Sequence, residues 1–447
     1  MAPIASRPAL FLAILLACGV TACRKPVVTL RTTPEPTTPE PVPTPPPAPY
    51  VPNKRLETGR LFNGIQYKVT LETEHGESAT VERTVPSSYT VDLQVKVRVP
   101  KPHKELAEIS RLNDKLPALL PQLGKLLETA TVSPAYDTLY RLKVTNLQQS
   151  LNRLDNLLSR HNFFDCETIL ELQHPDTKRR ALFMQADMDV DTDGSDSDRV
   201  PEIEPGSSTF QPFTSYKWAK KTENPSPFIA AREARLKAIE QELSGNGVSS
   251  ARARELKETQ TRIKGEIADL KKYSYLVAAA DPFVVLPGSI TGKKTPFSPV
   301  VGDYCVVIHD GTLYPTIVGD VGPSFKTGEG SLRLCRQLNP RADVNNRPVS
   351  ELKVSYLVFP GSGEKPWQAP DLAKWHARCQ ELLAGMGGHE GELFVWDDLT
   401  KPKPPTPPAT PSPPPVETKP AASSSAPADA SPAPVEKAPA PAAKSSP

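Results

Sequence analysis

YCVVIHDGTLYPTIVGDVG, residues 304–322, contains two apolar runs rich in β-branched and aromatic residues, joined by Asp310-Gly311. A two-residue hairpin turn of type I′ needs positive φ at both central positions, and Asp-Gly is a pair that tolerates this. The stretch therefore predicts two paired strands, YCVVIH and TLYPTIV. The second delivers Asp320, at its end, into a loop punctuated by glycines, GDVGPSFKTGEGS at 319–331.

On either side the same strand signals recur. TILEL, ALFMQADMDV, FVVLPGS and SYLVFPGSG are short β-rich runs, and YTVDLQVKVRV alternates apolar and polar residues strictly from Tyr89 to Val99. Helical spacing appears in three places. Leu106 to Leu126 form one stripe, interrupted by Pro117 and Pro121, and Leu139 to Leu158 form a second, so the two read as a helical hairpin. Residues 226–272 read as another hairpin, with Leu236, Ile239 and Leu243 against Leu256, Ile263, Ile267 and Leu270 around an SGNG turn. A last helix is expected around Asp371 to Leu383, and GEGSLRLCRQL reads as a helix with Glu329 near its first turn. The expected fold is α+β: a β-rich core, with a barrel as one way of closing it, to which helical hairpins are added.

Proline marks the limits of that core. Eleven of the 52 prolines fall in residues 24–52 and 16 in residues 401–447, and such segments favour extended polyproline II and bury no core. Ahead of the first segment, Arg7 and the apolar run ALFLAILLACGV form an export signal too short to span a bilayer. VTAC, ending at Cys23, has the form of a bacterial lipobox, whose cysteine is lipidated; a plain secretory signal is the simpler alternative. The expected organisation is a signal peptide with lipobox at 1–23, a Pro-rich linker at 24–55, a strand and helical-hairpin region at 56–160, a catalytic domain at 161–398 with the insertion 226–272, and a disordered Pro/Ala-rich tail at 399–447. The expected location is the cell envelope, as a membrane lipoprotein facing the periplasm or the surface, or secretion. Cys166, Cys305, Cys335 and Cys379 are widely spaced without CxxC pairs, which leaves disulfides and buried free thiols both open. A net charge of +2 over 447 residues argues against a nucleic-acid partner.

Two features point to chemistry. Asp320 at a strand end and Glu329 nine residues later can converge across one loop, and two carboxylates flanking a bond is what glycoside hydrolysis uses. A helix cap and a turn residue are the plainer explanation of the same pair. Upstream, Asp187, Asp189, Asp191, Asp193, Asp196 and Asp198, with Glu202 and Glu204, place eight acids in 18 residues. Asp189, Asp191 and Asp193 before Gly194 match half of a calcium loop, but Val200 stands where its glutamate belongs, so calcium and a merely solvated acidic loop are the alternatives to substrate binding, and no required cofactor is expected. Other motifs fall short. GSITGKKT has one residue too few for a phosphate loop, no GxSxG elbow is present, and His389 lacks the partner that HExxH requires.

Taken in order, ADMDVDTDG, FQPFTS, DPFVVLPGS, GDVGPSFKTGEGSLRL and SYLVFPGSG resemble glycoside hydrolase family 75, the fungal-type chitosanases and their bacterial lipoprotein relatives. The resemblance covers about residues 163–362 without the insertion. It implies that Asp320 and Glu329 are the catalytic pair of an inverting, endo-acting enzyme that cleaves β-1,4 bonds in chitosan or a related aminosugar polysaccharide. It also implies substrate contacts at Asp187, Asp189, Asp191, Asp193, Gln211, Thr214 and Ser215, the acids meeting ammonium groups by charge-assisted hydrogen bonds. Sugar platforms are expected from Phe213, Tyr216 or Trp218. Glu329 is favoured as acid and Asp320 as base, although a place at a helix start would oppose that order. The alternatives are a non-catalytic carbohydrate-binding or calcium-ordered envelope module, and a hydrolase of another aminosugar glycan. The membrane is expected as a partner only through the lipid anchor.

Overall fold

A computed structural model describes residues 76–88, 97–150, 164–202, 207, 209–292, 294–345 and 347–401. The lipobox, both Pro-rich tails, the expected strand over most of 89–99, and the far end of the second leucine stripe lie outside the described residues. No helix among those described is long and apolar enough to cross a membrane.

The described residues contain eleven strands: β1 (Thr131–Val132), β2 (Cys166–Gln173), β3 (Arg180–Asp191), β4 (Lys217–Ala219), β5 (Tyr273–Tyr275), β6 (Phe283–Pro287), β7 (Tyr304–His309), β8 (Thr312–Gly322), β9 (Glu329–Ser331), β10 (Val349–Val358) and β11 (Glu392–Leu393). Six of them close a ring in the order β3-β10-β7-β8-β6-β9 and back to β3, so the β-rich core is a barrel. Closure removes the unpaired edges that an open sheet would expose. β2 extends the sheet from β3, and β1 pairs β2.

The hairpin predicted at 304–322 is β7-β8, in register from His309↔Thr312 to Tyr304↔Ile317, and Asp310 and Gly311 both take positive φ. Pro315 sits inside β8 without harm. Its carbonyl faces away from β7 and accepts from the Trp396 indole at 2.8 Å, and β6 does not reach that far along β8, so its missing N–H costs no ladder bond. Apolar residues of the barrel strands divide into two buried clusters according to the faces from which they project.

Five of the helices bear on the site and its packing: α1 (Pro134–Gln149), α2 (Ile229–Ser244), α3 (Ser250–Lys272), α4 (Leu332–Leu338) and α5 (Leu372–Ala384). The first leucine stripe is three short helices, Leu106–Ser110, Leu116–Leu119 and Leu123–Glu128, because Pro117 and Pro121 cannot sit in one continuous helix interior. α1 starts at Pro134 behind the cap Ser133 and buries Tyr136, Leu139, Tyr140, Lys143 and Leu147, so a lysine occupies the middle of its apolar stripe. α2 and α3 enclose a small core of their own, with Ile239, Leu256, Ile263, Ile267 and Leu270 buried and Leu236 and Leu243 partly so. The end of α3 runs into β5, which pairs β4 and so ties the hairpin to the chain at 217–219.

One element differs in kind from expectation. GEGSLRLCRQL is not a helix from its start: Glu329 to Ser331 form β9, and α4 begins only after the cap Ser331, whose Oγ accepts from Leu334 N. β9 runs parallel to β3 and antiparallel to β6, and these pairings claim the backbone that a helix would have used. Glu329 is therefore a strand residue, and the dipole of a helix first turn does not act on it. All four described cysteines are buried free thiols.

Candidate active site

Asp320 stands in β8 just after a bulge. β6 pairs Val284 with Val318 and Val285 with Asp320, which leaves Gly319 as an extra residue. Only glycine fits there, because a Cβ would lie 2.6 Å from the Phe283 ring and 2.7 Å from Leu276. The bulge aims the Asp320 carboxylate at the loop before β4. Its Oδ1 accepts from Ser215 N at 2.9 Å, Ser215 Oγ at 2.5 Å and Val321 N at 2.7 Å.

Glu329 approaches from the other side of β6. Val285 pairs with Asp320 on one edge and with Glu329 on the other, so a single strand separates the two acids. Two inter-strand steps place their backbones about 9–10 Å apart. The loop between them turns at Gly328, at φ 69°, where a Cβ would lie 2.3 Å from the Asp187 carbonyl oxygen. Glu329 Oε2 lies 3.3 Å from Lys326 Nζ.

Both carboxyls titrate above their ordinary range. For Asp320 burial is the main cause, opposed by the hydrogen bonds from Ser215 and Val321. For Glu329 burial again leads; Lys326 opposes it, while Asp189 and Asp320 add repulsion. The two acids thus differ in surroundings: against burial, Asp320 has hydrogen bonds from Ser215 and Val321, whereas Glu329 has Lys326, with negative neighbours working against it.

The acidic run divides into parts. Asp187 and Asp189 are both claimed by Arg347, whose Nε is 2.5 Å from Asp189 Oδ1, and Asp189 also lies 3.7 Å from Lys326. Asp196 accepts from Arg199, which also makes a two-pronged contact with Asp281. Asp198 accepts from Lys221 N and Thr222 Oγ1. Asp191 and Asp193 share the electrostatic neighbourhood of the pair. Burial, then Glu329, raises Asp191 well above its usual range; Asp193 is pushed up to about 6 by burial, with Asp320 and Glu329 adding to it. Among the described residues no group of three or more His, Cys, Asp or Glu is arranged to hold a metal ion.

Of the other expected contacts, Ser215 touches Asp320, and Gln211 donates its backbone N–H to Asp193 Oδ1 at 2.8 Å, leaving its side chain exposed. Thr214 is buried and donates to the Tyr216 carbonyl. Tyr216 and Trp218 are corrected: at 7% and 4% exposure they belong to the apolar core and offer no face to a sugar. Phe213 remains partly exposed. Arg347 had no signal in the sequence, being an isolated cation 160 residues from Asp187.

Asp193 gives the site a pH signature. An aspartate in an unfolded chain loses its proton at about pH 4, whereas folded Asp193 keeps it to about 6. The folded state thus binds the extra proton, so this contribution to stability is complete below about pH 4 and is lost as pH rises through about 6. Asp193→Asn should flatten the decline of Tm between those limits; a decline as steep as the wild type's would remove Asp193 as its source.

Residues 188–388 match the family described as fungal chitosanase of glycosyl hydrolase group 75. No curated protein matches the chain.

Proposed function

We propose that the chain is a chitosanase-type glycoside hydrolase with a polysaccharide substrate, a reading supported by the group 75 match over residues 188–388, and that it cleaves β-1,4 bonds within chitosan. Cleavage proceeds with inversion, using Glu329 as acid and Asp320 as base. The observation carrying this reading is the position of the two carboxylates on either side of β6. Inverting enzymes keep their carboxyls roughly 6.5–9.5 Å apart to leave room for a water, and a two-strand interval suits that gap.

In this mechanism Glu329 gives its proton to the glycosidic oxygen as the bond to C1 breaks. Water attacks C1 from the opposite face and passes a proton to Asp320. The surroundings fit the assignment. Burial, with repulsion from Asp189 and Asp320 and against the pull of Lys326, favours the protonated form of Glu329, while three donors to one oxygen orient Asp320 and oppose the effect of its own burial. Lys326 stands beside Glu329 to stabilise the carboxylate left after its proton is given.

The test is reducing-end release from soluble chitosan, with fully acetylated chitin oligomers as the control and proton NMR of the first product. The expected result is cleavage of chitosan with the α anomer appearing first. Initial release of the β anomer would overturn the inverting mechanism, and binding without release would leave a carbohydrate-binding module in place of an enzyme.

A further inference from the structure

The helical hairpin α2-α3 does more than decorate the barrel. Its second helix forms one wall of a cavity of about 260 Å³, whose opposite wall is the segment Phe213 to Ser215. Ser215 is the residue that holds Asp320, so this cavity lies one side chain away from the proposed base. Phe213 and Tyr275 meet edge to face at 5.3 Å and form its aromatic side. Tyr275 is only 2% exposed, yet its hydroxyl has no hydrogen-bond partner among the described residues. Buried hydroxyls are seldom left unpaired, and this one belongs to a residue that lines the cavity, so a ligand settling there would supply the missing partner.

The charges around the cavity are already answered. Asp269 pairs with Lys217 at 2.9 Å, and Glu266 is held by Arg232 at 2.8 Å and Arg262 at 2.5 Å. A cationic group would have to displace one of these partners. An uncharged ring bearing hydroxyls, such as an N-acetylated unit of partly acetylated chitosan, would not, and an aromatic wall with a few converging polar groups is the usual form of a small-molecule site.

We infer that the insertion builds a sugar-binding subsite of its own, which takes one unit of the glycan, away from the cleaved bond, through its hydroxyl groups. This rests on the chitosanase reading of Asp320 and Glu329. The subsite would lengthen the stretch of polymer that the enzyme grips without entering the chemistry, so it should act on KM for long substrates and leave kcat alone.

The experiment compares wild type, Tyr275→Phe and Phe213→Ala, in the full chain, on short and long partly acetylated chitosan oligomers. Tyr275→Phe keeps the ring and removes only the hydroxyl, and thermal melting checks that each variant folds. For long oligomers KM should rise about three- to tenfold with Tyr275→Phe, the scale of one lost hydrogen bond. kcat should hold, and short oligomers that cannot reach the cavity should be unaffected. Equal changes on short and long substrates, or no change on either from folded Tyr275→Phe, would overturn the subsite and leave the enzyme reading intact. A wild type that neither cuts nor binds chitosan would overturn both.

Discussion

Glu329→Gln is expected to lower the rate of chitosan cleavage about 10²–10⁴-fold, the usual contribution of a positioned acid or base, with little change in KM. Glutamine keeps the size of the side chain and its place in β9 but has no proton to give. Stability should move the other way or not at all. Burial and the negative neighbours Asp189 and Asp320 disfavour the ionised carboxyl, so replacing it with a neutral amide relieves repulsion at neutral pH. A variant that loses activity while keeping or raising its Tm separates catalytic loss from misfolding. Asp320→Asn should be as slow, and azide should restore turnover only there, by attacking C1 where no base is needed to activate water. Rescue confined to the Glu329 variant would exchange the two roles. The wild-type profile should be a bell, its acid limb set by protonation of Asp320 and its alkaline limb by loss of the proton from Glu329. Both limbs should lie above where exposed carboxyls would place them.

The largest effect on folding is expected from Lys143→Met. Lys143 Nζ lies 2.7 Å from Asp165 Oδ2 and donates to the Phe325 carbonyl at 2.5 Å, while Thr327 N donates to the same Asp165 oxygen at 3.1 Å. Both side chains are almost wholly buried, at 2% and 1% exposure. The pair thus ties α1 and the start of β2 to the loop that leads into β9. Removing the cation alone leaves a buried carboxylate without its partner, a change that typically costs about 3–5 kcal/mol. Replacing both, as Lys143→Met with Asp165→Leu, should recover much of the Tm. The loss should also depend on pH. Burial already raises the Asp165 pKa against the pull of Lys143, and without that lysine it rises further. A raised carboxyl supports the fold below its unfolded pKa and withdraws that support as pH climbs through the folded value. Melting curves of the single variant should therefore lie closer to wild type in acid than at neutral pH; a deficit independent of pH would show that packing, not the orphaned charge, is at fault.

What the sequence made legible was local. The β7-β8 hairpin could be read because Asp310-Gly311 carries its own geometry, and β3, β6 and β10 because their apolar runs are long enough to stand out. β9 could not: three residues, Glu-Gly-Ser, ahead of a leucine-rich run have the appearance of a helix start, and only pairing with β3 and β6 makes them a strand. The same holds within the site. The spacing of Asp320 and Glu329 suggested a pair, but not that β6 would stand between them. The run of aspartates along β3 suggested contacts with ammonium groups of a substrate, yet Arg347 takes Asp187 and Asp189 from a loop far along the chain. Tyr216 and Trp218 look like sugar platforms by composition alone, and the core claims them. Lys143 resembled any lysine on a helix until its buried partner was visible.

The strand between the two acids also governs how such a scaffold can change. Backbone hydrogen bonding fixes the interval from one strand to the next, so the spacing of the Asp320 and Glu329 backbones is counted in whole strands, and the reach of the two side chains sets the carboxyl gap within it. A descendant of this barrel that brought its acids onto adjacent strands would jump to about 5 Å, the interval at which one carboxylate attacks the sugar directly. Strand order would then set the coarse stereochemical outcome, and the reach of the two side chains would tune it.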